Sequence, residues 1–199
     1  MIRFFDICFS LFGLIILIPV FLVIGLLVYT SSKGGIFYTQ ERIGRFGVPF
    51  KLYKFRSMSI GSDQNGLLTV GKRDSRITPI GNFIRRYKLD ELPQLWNVLI
   101  GDMSLVGPRP EVERYTRLYS AEQRRVLTLK PGITDPASIH YRKESELLAN
   151  SSNPEETYIR EIMPHKISLS LQYISQPTLP SYFRNIIQTI SVIIRNKRV

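Results

Sequence analysis

KLDELPQLWNVLIGDMSLVGPRP, Lys88 to Pro110, is the stretch on which the reading of this chain turns. It joins two adjacent carboxylates, Asp90 and Glu91, to a short apolar run, a glycine stop and the loop Gly107-Pro108-Arg109-Pro110. An Asp ahead of a helical run can satisfy orphan amides, and Pro93 is tolerated in a first turn where no intrahelical donor is lost. The spacing therefore predicts a helix starting at Asp90, with Leu92, Leu95, Trp96 and Leu99 facing inward and Gly101 ending it. Prolines on both sides of Arg109 exclude helix and central strand, so this arginine is expected on a stiff loop suited to holding an anion.

An Asp-Glu pair before a helix, taken alone, is most often a capping device. The same position also favours an ionised carboxylate and attracts phosphate, through free amides and the helix dipole. Asp90 then becomes a candidate nucleophile beside a phosphate site. Its repulsion with a pyrophosphate has to be offset by a divalent cation and by arginines. Glu91 is the adjacent hard oxygen ligand for Mg2+, and Arg85 and Arg109 are the candidate clamps.

Upstream, Ile36 to Met58 alternates apolar with basic or polar residues between turn signals, which predicts short strands in a hairpin. Ile60 to Asp74 reads as a loop. Thr78-Pro79 has the chemistry of an N-cap and first helical residue, with Ile80, Phe83, Ile84 and Tyr87 on one face and Arg85 and Arg86 near the C-terminal end. Downstream, a charged helix is expected from Glu111 to Leu129, broken by Lys130-Pro131-Gly132, with further helices from Pro154 to Ile174 and Ser181 to Arg195. The isoleucines of the last, Ile186, Ile187, Ile190, Ile193 and Ile194, mix with Arg184, Arg195, Lys197 and Arg198. Such a helix either packs on the core with a solvated basic tail or lies in a lipid headgroup layer.

From Ile7 to Tyr29 there is no charged residue, about the length a helix needs to cross a hydrocarbon core. Pro19 lies in this run, so a kink is expected near Ile18, and the segment either crosses the membrane once or bends and returns. Lys33, Arg42, Arg45, Lys51, Lys54 and Arg56 follow the run while only Arg3, the amino terminus and Asp6 precede it, which places the bulk of the chain on the cytoplasmic side. The organisation is then a membrane segment over residues 1–32 and one compact domain over 33–199. A net charge of +11 across 199 residues calls for an anionic partner: a lipid surface, a phosphorylated small molecule or a nucleic acid. No nucleic-acid-binding module supports the last. The single cysteine, Cys8, excludes an intramolecular disulfide and a Cys-rich metal site, and His140 and His165 lack metal-ligand spacing.

KFRSM (Lys54 to Met58), RITPIG (Arg76 to Gly81), LDELPQLWNVLIGDMSLVGPRP (Leu89 to Pro110) and KPGIT (Lys130 to Thr134), in that order behind an apolar segment, resemble the bacterial sugar transferase family. More narrowly, the set is similar to its small monotopic phosphoglycosyl transferases. The resemblance implies an α+β, mainly helical protein: a re-entrant membrane helix broken near Pro19, then a cytoplasmic catalytic domain with a short β-hairpin and interfacial amphipathic helices. It implies an enzyme of the bacterial inner membrane that moves a sugar 1-phosphate from a UDP-sugar to polyprenyl phosphate, releasing UMP, as the first membrane step of surface-glycan synthesis. Mapped here, Asp90 is the nucleophile of a ping-pong reaction, Glu91 the main Mg2+ ligand, and Arg109 and Arg85 the contacts to nucleotide and phosphate. Three departures stand out. Ile18-Pro19 replaces the usual Ser-Pro, Tyr87-Lys88 replaces small hydroxyl residues, and Asp135-Pro136-Ala137-Ser138 replaces Gly-Trp-Ala-Gln in a region that could face the sugar. The short length suggests the minimal class, without the N-terminal membrane bundle of larger relatives. Two other classes remain: a membrane nucleotide-sugar pyrophosphohydrolase, and a basic anchored protein that binds anions without turnover.

Overall fold

The computed structural model describes residues 1–62, 66, 68–71, 74–175 and 177–195. It is mainly helical, with two small two-stranded sheets, an α+β arrangement. Parts of the Ile60–Asp74 loop, and the basic tail at Lys197 and Arg198, lie outside the described residues.

The apolar run forms α1 (Ile2–Ile16) and α2 (Ile18–Ser31), bent by 62° across Leu17. Pro19 sits in the first turn of α2, where its missing N–H and ring break the ladder that Leu17 and Phe21 otherwise carry on. No single helix is long and apolar enough to cross a membrane; the bent pair passes that test together. The polarity of α1 is inverted relative to a soluble helix. Asp6 and Ser10 are buried against the domain while Phe4, Leu11, Phe12, Ile15 and Ile16 are exposed. Asp6 Oδ1 accepts from Ser104 Oγ at 3.0 Å, Leu105 N at 2.9 Å and Tyr182 Oη at 2.9 Å. Arg3 donates to the carbonyls of Val98 and Leu99, at 2.5 and 2.8 Å. On α2, Ile24 and Val28 pack against Phe55 and Ile84, leaving Leu22, Val23 and Leu26 outside.

The expected hairpin is present. β1 (Phe37–Ile43) pairs antiparallel with β2 (Pro49–Phe55), in register from Phe37 opposite Phe55 to Ile43 opposite Pro49. α3 (Pro79–Arg86) begins as anticipated at Thr78, whose hydroxyl accepts from Gly81 N at 2.9 Å. The next helix does not start at Asp90. Lys88 takes a left-handed conformation (φ 57°), Leu89–Glu91 form one 3-10 turn, and α4 (Gln94–Ile100) begins after Pro93. Because Pro93 has no N–H to donate, it suits the entry of a helix and separates the carboxylates from it. Gln94, Asn97 and Val98 form the buried face of α4, whereas Trp96, expected inside, is 48% exposed. Asn97 explains this swap: its amide bridges Tyr53 N and Lys51 O of β2, at 3.1 and 2.7 Å.

β3 (Ser104–Val106) pairs in parallel with β4 (Gly132–Thr134), and at their edge Gly107 and Gly132 meet backbone to backbone. A Cβ on Gly132 would stand 2.1 Å from Gly107 N, and one on Gly107 would stand 2.4 Å from Lys130 O. The single helix anticipated from Glu111 to Leu129 is not formed. α5 (Glu113–Thr116) is one turn, and a 3-10 segment covers Gln123–Thr128. Between them Ser120 and Gln123 exchange side-chain bonds with each other's backbone N–H, a capping box that starts a new turn where one helix would have continued. Short helices α6 (Pro136–His140) and α7 (Glu144–Ala149) occupy a stretch for which no element was anticipated.

α8 (Pro154–Thr157) runs through a π-turn (Tyr158–Ile162) into α9 (Met163–Ser175), so the expected helix over this stretch is formed with one widened turn. Pro164, which cannot donate to the preceding turn, follows the widening. α10 (Leu179–Arg195) buries Tyr182 and Asn185 against β3 and α1, while Ile187, Ile190 and Ile194 are exposed. It therefore has the packed inner face of one anticipated reading, and its outer face is apolar and exposed.

Candidate active site

The turn after α3 decides where the carboxylates point. With Lys88 left-handed, the chain reverses and Leu89–Glu91 dip under β2, leaving Asp90 5% and Glu91 9% exposed. Asp90 does not cap a helix, and its Oδ1 is buried with no hydrogen-bond partner. A buried carboxylate oxygen without a donor is costly, which makes Asp90 Oδ1 a candidate contact for a bound group. Glu91 is fully engaged: Arg109 Nη2 donates to Oε1 at 2.5 Å and Nη1 to Oε2 at 3.3 Å, and Lys54 Nζ stands 3.5 Å from Oε1.

The two carboxyls are driven apart electrostatically. For Asp90, burial and then the Glu91 charge push the carboxyl up, against the pull of Lys54, Lys88 and Arg85. Burial would raise Glu91 too, but Arg109, Lys54 and Lys88 outweigh it and hold that group well below the usual range. Burial brings Lys54 down to about 8, opposed by Glu91. The Glu91 charge pushes the Arg109 guanidinium upward. Two neighbouring carboxylates in such different surroundings suit different tasks.

Arg109 owes its place to bracing on the far side of its loop. Arg42 Nη1 donates to Pro110 O at 3.1 Å and to Glu111 Oε1 at 3.0 Å, Ile43 N donates to Glu111 O at 2.8 Å, and the Tyr158 hydroxyl bonds Glu111 Oε2. Arg85 is placed differently from a simple clamp. Its Nη2 donates to Thr69 Oγ1 at 2.9 Å, yet its charge reaches Asp90.

All of these side chains line one open cleft of about 1640 Å³, which also takes in Gly34, Arg56, Ser138, Tyr141, Glu144 and Lys166. Asp135, Ala137 and Ser138, in the segment expected to face the sugar, line the cleft, and Asp135 also caps α6 through Ser138 N at 2.8 Å and accepts from Ser170 Oγ at 2.6 Å. Pro19 stays apart from the cleft, at the hairpin bend.

Among the described residues no three His, Cys, Asp or Glu side chains gather into a metal cage. Glu91 and the unpartnered Asp90 oxygen are nonetheless hard donors of the kind Mg2+ takes when phosphates and waters complete its shell, so the residues fit such an ion. Sequence reading did not assign Lys54, Arg42 or Tyr158 to the site. For Lys54 a signal existed, since Lys54 and Arg56 are two apart in a strand and so share a face. For Arg42 and Tyr158 there was none, because their link runs through Glu111 across the fold.

The bacterial sugar transferase model matches residues 1–196. A Bacillus subtilis (strain 168) protein provisionally named undecaprenyl-phosphate N-acetylgalactosaminyl 1-phosphate transferase is 50% identical over 120 residues, 60% of this chain and 67% of that one. The UDP-glucose:undecaprenyl-phosphate glucose-1-phosphate transferase of Klebsiella pneumoniae is 40% identical over 173 residues, 85% of this chain and 37% of that protein. The exopolysaccharide production protein ExoY of Sinorhizobium fredii (strain NBRC 101917 / NGR234) is 40% identical over 147 residues, 66% of this chain and 65% of the relative. The chain thus spans from 37% to 67% of the length of these relatives. With its match running almost from end to end, the chain belongs to the bacterial sugar transferase family.

Proposed function

We propose that this protein is a phosphoglycosyl transferase that moves a sugar 1-phosphate from a UDP-sugar to undecaprenyl phosphate, giving undecaprenyl diphosphate sugar and UMP. The relatives' names supply the two substrate classes, and because those names carry different sugars the proposal stops at the UDP-sugar class. One observation carries the mechanism: Asp90 Oδ1 is buried in the cleft without a donor, beside a carboxylate already neutralised by Arg109 and Lys54.

In the first step an Asp90 oxygen attacks the β-phosphorus. The bond from that phosphorus to the bridging oxygen breaks, and its electron pair leaves on UMP. In the second, an oxygen of the lipid phosphate attacks the same phosphorus and the Asp90 carboxylate leaves. Splitting the displacement lets one cleft serve two anionic substrates in turn, so ping-pong kinetics follow. Arg109, Arg85 and Lys54 would neutralise the donor's pyrophosphate. Glu91 would hold Mg2+, which supplies further charge neutralisation at the phosphates. Because Glu91 is paired with Arg109, donor entry would exchange that pair for contacts of Arg109 with phosphate.

The inverted polarity of α1 and the 62° bend support a hairpin that dips into one leaflet and returns, with the domain on the cytoplasmic face of the bacterial inner membrane. The exposed isoleucines of α10 would then meet the lipid interface. The test is covalent trapping. Enzyme in lipid nanodiscs is mixed with UDP-sugar labelled in the β-phosphate and quenched without acceptor. The expected result is one label per active chain on the peptide holding Asp90, none in Asp90→Asn, and discharge on adding undecaprenyl phosphate. Brisk turnover with no label, or with label on another residue, would refute the mechanism.

A further inference from the structure

Arg56 is the only cation among the described residues that is buried as a whole residue, with 7% of its surface exposed. Nη2 donates to Ser32 O at 2.7 Å and Ser32 Oγ at 3.1 Å, at the end of α2. Nε and Nη1 are buried and have no hydrogen-bond partner. Two donor nitrogens of a permanent cation held out of water without an acceptor are costly, and an anion is the group that would relieve them. Fastening α2 to β2 accounts for Nη2 and leaves the other two nitrogens unexplained.

The position of Arg56 says which anion. Arg56 N bonds Ile36 O at 2.9 Å, extending the β2 pairing by one residue. Lys54 and Arg56 therefore share a face of extended chain, with Cα atoms about 6.5 Å apart. Lys54 reaches the Glu91 end, and Arg56 lies toward the hairpin end of the same cleft, beside Gly34, Phe37 and Ile60. That end is where the apolar hairpin joins the domain, and its rim is greasy: Ile60 is 72% and Phe37 52% exposed. The approach over Arg56 is shaped by Gly34, at φ 118°, where a Cβ would stand 2.0 Å from Nη1 and 2.9 Å from Ile60 Cδ1. Only a residue without a side chain leaves the guanidinium in place there.

We propose that Arg56, with the Gly34–Phe37 and Met58–Ile60 walls, forms an acceptor subsite for a phosphate monoester carried on an apolar chain. This subsite is separate from the donor clamp at Arg109 and Lys54. Rotation of the Ile60 side chain opens Arg56 to the lipid phosphate, which then lies one strand step from the Asp90–Glu91 end, while the hydrocarbon leaves along the exposed face of α2. The assignment rests on the two-step transfer proposed above and divides its two halves between different cations.

The experiment reads the halves separately in nanodiscs. The acceptor-free burst of UMP reports donor attack, and discharge of the labelled enzyme by undecaprenyl phosphate reports acceptor use. For Arg56→Lys, a point charge that cannot reproduce the guanidinium fork, the ratio of discharge rate to burst rate at subsaturating lipid is expected to fall about 100-fold. Farnesyl phosphate should compete with the acceptor in the parent enzyme, and inorganic phosphate should not. Competition by inorganic phosphate alone would show a site for free phosphate and overturn the lipid assignment. Equal loss of burst and discharge would make Arg56 a tether and overturn the subsite. A parent enzyme with no burst would instead defeat the two-step reading itself. If Arg56→Lys does not fold, a photoreactive group on the first isoprene of the acceptor, used with the parent enzyme, decides the matter. Crosslinks at residues 32–37 and 56–61 support the subsite, and crosslinks confined to residues 137–145 refute it.

Discussion

Asp6→Ala should uncouple the apolar hairpin from the domain, and the structure fixes the scale of the loss. One carboxylate oxygen accepts from a backbone N–H and two hydroxyls, all within 3.0 Å, and Asp6 is 2% exposed. Each stranded buried donor costs roughly 1 to 3 kcal/mol, and since the hydroxyls can turn toward other acceptors, the total is about 3 to 5 kcal/mol. For a chain of this length each kcal/mol lowers Tm by about 2 to 4 °C, so the expected drop is about 6 to 20 °C. Tyr182→Phe alone removes one of the three bonds and should lower Tm by about 2 to 6 °C. In the Asp6→Ala background the same change should recover about 1 kcal/mol, because a stranded hydroxyl is removed with its lost acceptor. Trp96, the single tryptophan, lies on α4, which packs on α1, and its fluorescence during thermal unfolding in nanodiscs is a direct reporter. A drop under about 2 °C for Asp6→Ala, or strict additivity in the double variant, would refute the latch.

Arg109→Ala should lower kcat/KM by about 10² to 10³, the scale of losing a preorganised charge donor, measured as UMP release across donor concentrations. On the proposed mechanism the covalent-labelling rate should fall as pH drops through the raised Asp90 titration, because Asp90 would attack as the ionised carboxylate while burial and Glu91 favour its protonated form. Lys88→Met, by deleting a cation that opposes this shift, should move that acid limb to still higher pH in a rapid-quench profile. Thr78→Ala removes the N-cap of α3 and should cost about 1 kcal/mol in denaturant unfolding. Pro19→Ala should reduce the bend between α1 and α2, so that a cysteine added at the N-terminus becomes labelled from the periplasm in the variant and stays protected in the parent.

Much of the site was legible because its signals are local. Proline-flanked Arg109, the Thr78-Pro79 cap and the alternation of Ile36 to Met58 each constrain their own backbone, and each element is found where it was expected. The errors have a common physical origin in tertiary contacts. Asp90 looked like a cap because a helix followed, but Lys88 reverses the chain and Asn97 turns the polar face of α4 inward onto β2. The segment from Glu111 to Leu129 had helical composition, and Ser120 with Gln123 divided it. The bracing of Arg109 through Glu111 by Arg42 and Tyr158 joins residues far apart in sequence, and no spacing rule reaches that distance. The outward greasy face of α1 was readable as membrane-length, but the inward role of Asp6, a lone charge at its edge, appears only with Tyr182 beside it.

The facing glycines 107 and 132 restrict how this molecule can change. Their main chains stand so close that a methyl group on either would collide with the other strand, and the loop bearing Arg109 springs from that contact. The strand contact beneath the Arg109 loop therefore has no room for a side chain, and neither glycine can drift while its counterpart stays. Accommodation of a differently shaped substrate has to come from other parts of the cleft lining, such as the short helices around Tyr141 and Glu144, which carry full side chains and no such glycine pair.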